Sequence, residues 1–258
     1  MTIADGYDAF LLDLDGVLYR GDRPVPHAAE TVDALRRLGK RVAFVTNNSS
    51  RPPEAVIAHL ASVGVIAELA EVETSALTTA VALAERGVGT AFVVGEQGLR
   101  EALAGAGIAA VGPDAVPDAV VVGWDRTITY ETLRAASIAV QRGAALVASN
   151  ADATYPAPDG LTWPGAGAIV AALEAATQTQ AEVFGKPNAP ILRAALARAG
   201  GGTPLVIGDR VNTDIEAARR LRWDSMLVLT GISTRDDLRD AGIAATYVAE
   251  DLSVLLED

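Results

Sequence analysis

Short apolar runs alternate with helix-period segments along almost all of the 258 residues, and no other feature narrows the fold as far. Strand-like runs fall at about 8–13, 41–46, 90–94, 119–122, 145–148, 204–208 and 225–229. Amphipathic stretches lie between them, among others at 27–38, 53–63, 75–86, 130–142, 166–177, 189–199 and 213–221. β-Rich runs separated by helices of this length build βαβ units, since parallel neighbours need a crossover. Gly39, Gly64, Gly87, Gly143 and Gly200 follow helical patterns, where a glycine cap belongs. The expected fold is α/β with a parallel sheet.

Ligands of open α/β sheets bind beyond the carboxyl ends of the strands, and three such ends are polar here. "FLLDLDGVLY" (10–19) runs from a buried-strand pattern into Asp13 and Asp15. "VAFVTNNS" ends in Thr46, Asn47 and Asn48, and "PLVIGDRVNTD" in Asp209, followed by Asp214. Lys186, in "FGKPNAP", precedes a helix that Pro187 and Pro190 help to start. Buried carboxylates need a cation, a metal or hydrogen bonds to replace lost hydration. Residues i and i+2 of an extended chain face one side, so Asp13 and Asp15 are expected to address one pocket. A calcium loop starting at Asp13 fails, because Val17 and Pro24 stand at ligand positions.

Composition removes several classes of chemistry. Cysteine is absent and there are only two histidines, His27 and His59, which leaves thiolate sites, zinc hydrolases and Ser-His-Asp triads without their parts. Net charge is −12, from 21 basic and 33 acidic residues, which repels nucleic acid and acidic membrane surfaces. No apolar stretch approaches the roughly 18–20 residues of a membrane span, and "MTIADGYDAF" is unlike a signal peptide. The expected location is the cytoplasm.

Phosphoryl transfer to a carboxylate would use what remains. An anion attacking a phosphate dianion meets a repulsion of about 4 kcal/mol per charge pair at 4 Å and an effective dielectric of ~20. A hard divalent cation and a lysine offset it. Mg²⁺ takes oxygen ligands, which Asp13, Asp209 and the backbone carbonyl of Asp15 would supply. Thr46, Lys186 and the amides around Asn47 would hold phosphoryl oxygens. One aspartate would bind metal and attack while the other manages the leaving-group proton.

The segments "DLDGV" (13–17), "VTNNS" (45–49), "GKP" (185–187) and "GDRVNTDI" (208–215) resemble the four signatures of the haloacid dehalogenase superfamily. "VVVGWDRTITYETL" (120–133), "SNADATYP" (149–156), "WPGAGAIVAALE" (163–174) and "VLTGIS" (228–233) resemble its NagD-like, 4-nitrophenylphosphatase-like branch. The resemblance implies that Asp13 is the nucleophile and Asp15 the general acid/base. It implies phosphate binding by Thr46, Asn47 and Lys186, with Asn48 beside them, and Mg²⁺ binding by Asp13, Asp15 and Asp209. Asp214 would act on the metal through water or by supporting a ligand. Asn212 stands where an acidic residue is common, and Ala151 where proline is frequent.

From Asp13 to Thr46 is 46 − 13 = 33 residues, room for one βα unit; from Thr46 to Lys186 is 186 − 46 = 140, far more than a core needs. An inserted α/β cap is expected at 81–180, over a discontinuous catalytic core of 1–80 and 181–258. In it, Asn150, Asp152, Tyr155 and the "PGAG" turn (164–167) are candidates to face substrate, and they also suit turn and N-cap chemistry. The expectation is a Mg²⁺-dependent phosphomonoesterase forming an aspartyl-phosphate, with a homodimer through the cap in keeping with this branch. Its substrate would be a small metabolite: a sugar or polyol phosphate such as glycerol 3-phosphate, 2-phosphoglycolate, a nucleoside monophosphate or pyridoxal 5′-phosphate. A dehalogenase would not need Asp15, a phosphomutase usually inserts its cap in the 33-residue interval, and a P-type pump needs membrane spans. The rival from another class is a catalytically silent binding or regulatory protein of the same fold.

Overall fold

The computed structural model describes residues 2–156 and 161–257; residues 157–160, inside the expected cap, lie outside them. The chain forms two compact units. One comprises Met1–Thr46, Pro53–Glu73 and Lys186–Asp258, the other Asn47–Pro52 and Thr74–Gly185. The divisions thus fall near 73/74 and 185/186, and the short 47–52 segment joins the second unit.

The first unit is built on a six-stranded sheet in the order Tyr247–Ala249, Asp224–Val228, Pro204–Gly208, Ala9–Leu12, Arg41–Thr46, Val72–Thr74. The pairings among the first five strands are parallel. Ala9–Leu12 has neighbours on both sides and both faces covered, so all four of its residues are apolar and buried. The two-residue period sorts side chains between layers. Phe10 and Leu12 pack with Phe44, Leu205 and Ile207 on one face; Leu11 packs with Ala43, Val45, Val206 and Ile191 on the other.

Register sets the position of the polar ends. Leu12 lies opposite both Ile207 and Phe44, so Asp13, Thr46 and Asp209 all emerge at one edge of the sheet. The strand expected at 8–13 stops at Leu12. Beyond it the Leu14 carbonyl accepts from the amides of Leu18 and Tyr19, which turns the chain. The expected helix at 213–221 opens as a π-helical turn, Val211–Ile215, before the α-helix Glu216–Leu221.

The second unit has its own five-stranded parallel sheet, in the order Glu182–Val183, Ala145–Ala148, Ala119–Val122, Thr90–Val94, Ala109–Ala110. Separate apolar clusters cover its two faces, one around Val93, Val121 and Leu99, the other around Val94, Val122 and Leu173. Among the described residues no helix is long and apolar enough to cross a membrane.

Candidate active site

Four charged side chains meet at the carboxyl edge of the first unit's sheet. Oxygens of Asp13, Asp209 and Asp214 lie within 4.8 Å of one another. Lys186 donates to Asp13, and to Asp214 Oδ1 at 2.6 Å. Lys186 is 3% exposed and Asp214 1%, a degree of burial that lysine and aspartate reach almost only when paired.

Local structure holds each one. The Asp13 amide donates to the Ile207 carbonyl at 2.9 Å, extending the strand pairing by one residue. Asp209 Oδ2 accepts from the Ile232 amide at 2.8 Å. Asp214 rides on the π turn, a wide turn frequent at functional sites. Its Oδ2 accepts from the Arg210 amide and the Thr213 hydroxyl, both at 3.2 Å. A Cβ at residue 208 would collide with the Asp214 carboxylate, and one at residue 16 with that of Asp209; Gly16 also has φ +83°.

The charges do not balance. With all three ionised, three carboxylates against one ammonium would leave 3 − 1 = 2 excess negative charges in a buried cluster. Burial pushes Asp13 well above the usual carboxylate range; Lys186 pulls it back, while Asp214 and Asp209 add to the rise. Burial and then the charge of Asp214 push Asp209 up to about 7. Burial alone would lower Lys186, but Asp13 and Asp214 more than offset it and hold the ammonium above its ordinary range. An all-oxygen set with two surplus charges fits a hard divalent cation such as Mg²⁺.

Asp15 is not among the three carboxylates of this cluster; the strand ends at Leu12, and Asp15 forms a bridge to Tyr19. Burial raises Asp15, against the charges of Arg210, His59 and Arg20. Thr46 is buried at the end of its strand, and the Val45 carbonyl before it lies 3.5 Å from Lys186 Nζ. Asn212 is exposed.

The other expected residues belong to the second unit and form a different kind of cluster. Asp152 Oδ2 accepts from the side-chain amides of Asn47 at 3.0 Å and Asn150 at 2.9 Å. The Ser75 hydroxyl donates to the Asn47 carbonyl at 2.6 Å. Asn48 Oδ1 accepts from the amide and hydroxyl of Ser50, a local turn. The PGAG glycines serve close backbone approach: the Gly165 and Gly167 amides donate to the carbonyls of Ala153 and Asp152, each at 2.9 Å. Tyr155 packs on Trp124, ring centroids 4.2 Å apart, and Arg126 lies over the Trp124 ring. Sequence reasoning gave no role to Trp124 or Arg126, although both stand in the quoted "VVVGWDRTITYETL" segment.

Buried carboxylates around a lysine, at the carboxyl edge of a parallel sheet, make an oxygen set that could hold a divalent cation. A family model for haloacid dehalogenase-like hydrolases matches residues 10–109, and a second, HAD-hydrolase-like, matches 183–255. An acid sugar phosphatase of Staphylococcus saprophyticus is 34% identical over 255 residues, 98% of each chain. A D-glycerol 3-phosphate phosphatase of Mycobacterium tuberculosis is 38% identical over 262 residues, 100% of this chain and 73% of the relative. A crystal structure of a glycerol phosphate phosphatase from M. tuberculosis in complex with magnesium superposes with TM-score 0.94 at 37% identity, over 100% of this chain and 79% of that one. The chain belongs to the haloacid dehalogenase-like hydrolases.

Proposed function

We propose that this protein is a Mg²⁺-dependent phosphomonoesterase that hydrolyses a small phosphorylated metabolite through an aspartyl-phosphate. One observation carries the reading: a buried carboxylate, Asp13, bonded to the cluster's sole ammonium and facing two further carboxylates. Mg²⁺, held by Asp13 and Asp209 with the Asp15 carbonyl and with Asp214 in support, would supply the positive charge that lets an anion meet a phosphate dianion.

The chain's own groups do the rest. An Asp13 carboxylate oxygen bonds to phosphorus as the ester P–O bond breaks. Asp15 keeps its proton to higher pH than a free aspartate because it is buried, and it passes that proton to the leaving alcohol oxygen. It then takes a proton from the water that opens the aspartyl-phosphate, which restores both aspartates and releases phosphate. Lys186 donates to Asp13 and to the incoming phosphoryl oxygens, and Thr46 adds a hydroxyl donor. The phosphate contacts of Asn47 and Asn48, in the second unit, rest on the sequence motif.

In this reading the first unit is the catalytic core and the second the cap that selects substrate, with Asn150, Asp152 and Tyr155 as its contacts. The relatives' names favour a sugar or polyol phosphate, glycerol 3-phosphate first. Absence of cysteine supports the cytoplasm. Exposed Tyr130, Leu161 and Trp163 on the second unit support a homodimer through it. Phosphate release from 4-nitrophenyl phosphate tests the activity. Turnover that EDTA abolishes and Mg²⁺ restores is expected; no release from pure protein with any divalent metal contradicts it.

A further inference from the structure

A hairpin follows the catalytic loop directly, and one histidine pins it at two points. Tyr19–Arg20 pairs with Arg23–Pro24 in antiparallel fashion. At its base the Gly16 amide donates to the Tyr19 carbonyl at 2.7 Å, and Tyr19 bridges to Asp15. The placement of Tyr19 therefore sets the backbone on both sides of the Asp15 side chain.

His59 touches this hairpin at base and tip. Its ring meets the Tyr19 ring edge-on, centroids 4.4 Å apart at 86°. Its Nε2 lies 2.9 Å from the Gly21 carbonyl. A carbonyl only accepts, so Nε2 carries the proton and donates. The histidine stands on the helix Pro53–Ser62, which buried Val56 and Leu60 fix in the core. A rigid helix thus holds a two-stranded ribbon that would be marginal alone, next to Asp15.

We propose that His59 is a positioning residue for proton transfer by Asp15. It holds the hairpin so that the Asp15 carboxyl sits where the leaving oxygen develops charge. The inference rests on the reading of Asp15 as proton donor. A displacement of about 1 Å at such a group can cost up to roughly 10²-fold in rate.

Leaving-group dependence separates this role from hairpin stability. Phenyl phosphate leaves as a strongly basic phenolate that needs a proton, and 4-nitrophenyl phosphate as a weakly basic one that does not. In H59A, kcat/KM for phenyl phosphate should fall roughly tenfold further than for 4-nitrophenyl phosphate. H59Q, which restores a donor to the Gly21 carbonyl, should recover most of that difference. The ratio is taken on one preparation, so a partly unfolded fraction cancels. Should H59A not fold, H59F removes the nitrogens that face the Gly21 carbonyl and Asp22 and keeps the edge-on ring, and its ratio is read instead. D15N is the control and should shift the ratio in the same direction, by more. Equal losses on both substrates in the histidine variant, beside a shifted ratio in D15N, overturn the role of His59 alone. An unshifted ratio in D15N overturns Asp15 as proton donor, and this inference with it.

Discussion

The two units share an architecture and differ in what their strand ends carry. Each is a parallel sheet with apolar layers on both faces. The first gathers Asp13, Asp209, Asp214 and Lys186 in its interior edge. The second gathers neutral amides and hydroxyls, Asn47, Asn150, Ser75 and Ser149, around the single carboxylate of Asp152. Buried charge is tolerable only when matched, whereas a neutral network needs only its hydrogen bonds. The difference teaches that the scaffold does not decide the chemistry. The first unit concentrates charge at its strand ends; in the second, the one carboxylate of the Asp152 network is met by two side-chain amides.

Removing the only ammonium should break the first unit's balance most severely. K186M leaves three buried carboxylates without it and should cost about 3–5 kcal/mol in chemical denaturation. The double variant K186M/D13N should recover part of the loss; strict additivity of the two would show that the pair is uncoupled.

Next in size is the metal. Folded Asp209 titrates near 7 rather than 3.8, so between those values the folded metal-free protein holds more protons than the unfolded chain. Its stability should fall as pH rises through that window. Mg²⁺ should raise stability by about 2.7 kcal/mol at one hundred times Kd, and more at pH 7.5 than at pH 5, since it competes with those protons. Thermal unfolding with EDTA or Mg²⁺ at both pH values measures this, and D209N should flatten the metal-free slope. A metal-free protein that gains stability from pH 4 to 7 would contradict the picture of surplus charge.

In the second unit, D152A leaves the Asn47 and Asn150 amides without their shared acceptor and should cost about 1–3 kcal/mol, with no response to Mg²⁺. The smallest effect belongs to a surface cluster. Arg219 and then Arg220 hold Glu216 down to about 2. Their contribution is complete above pH 4.5 and is lost as pH falls toward 2. E216Q should remove under about 1 kcal/mol at pH 7 and progressively less as pH falls toward 2, read from urea midpoints.

Much of this was legible in the sequence, for physical reasons. Runs such as "AFLL" (9–12) and "PLVIG" (204–208) are apolar throughout because both faces of a central strand are covered. Edge strands such as Tyr247–Ala249 and the paired ribbons are too short for any period to register. Asp13, Lys186, Asp209 and Asp214 could be grouped through their motifs, since each follows a strand or precedes a helix in recognisable order. Their exact pairing could not be, because the Lys186–Asp214 bond depends on a π turn that local periodicity does not encode. The strand end at Leu12 was not legible, because the aspartates that follow continue an extended-looking spacing where a turn begins. His59 carried no signal at all: its partners, the Tyr19 ring, the Gly21 carbonyl and the Asp22 carboxylate, all lie far from it in sequence.

The central claim is that the unbalanced cluster makes Asp13 a nucleophile. Rapid acid quench of the Mg²⁺-loaded protein during turnover of 4-nitrophenyl phosphate, then borohydride reduction and peptide mass spectrometry, tests it directly. Asp13 should be found converted to homoserine, with no such product in D13N and turnover there lowered roughly 10³-fold or more. A modified residue elsewhere, or D13N turning over at the wild-type rate, would contradict it.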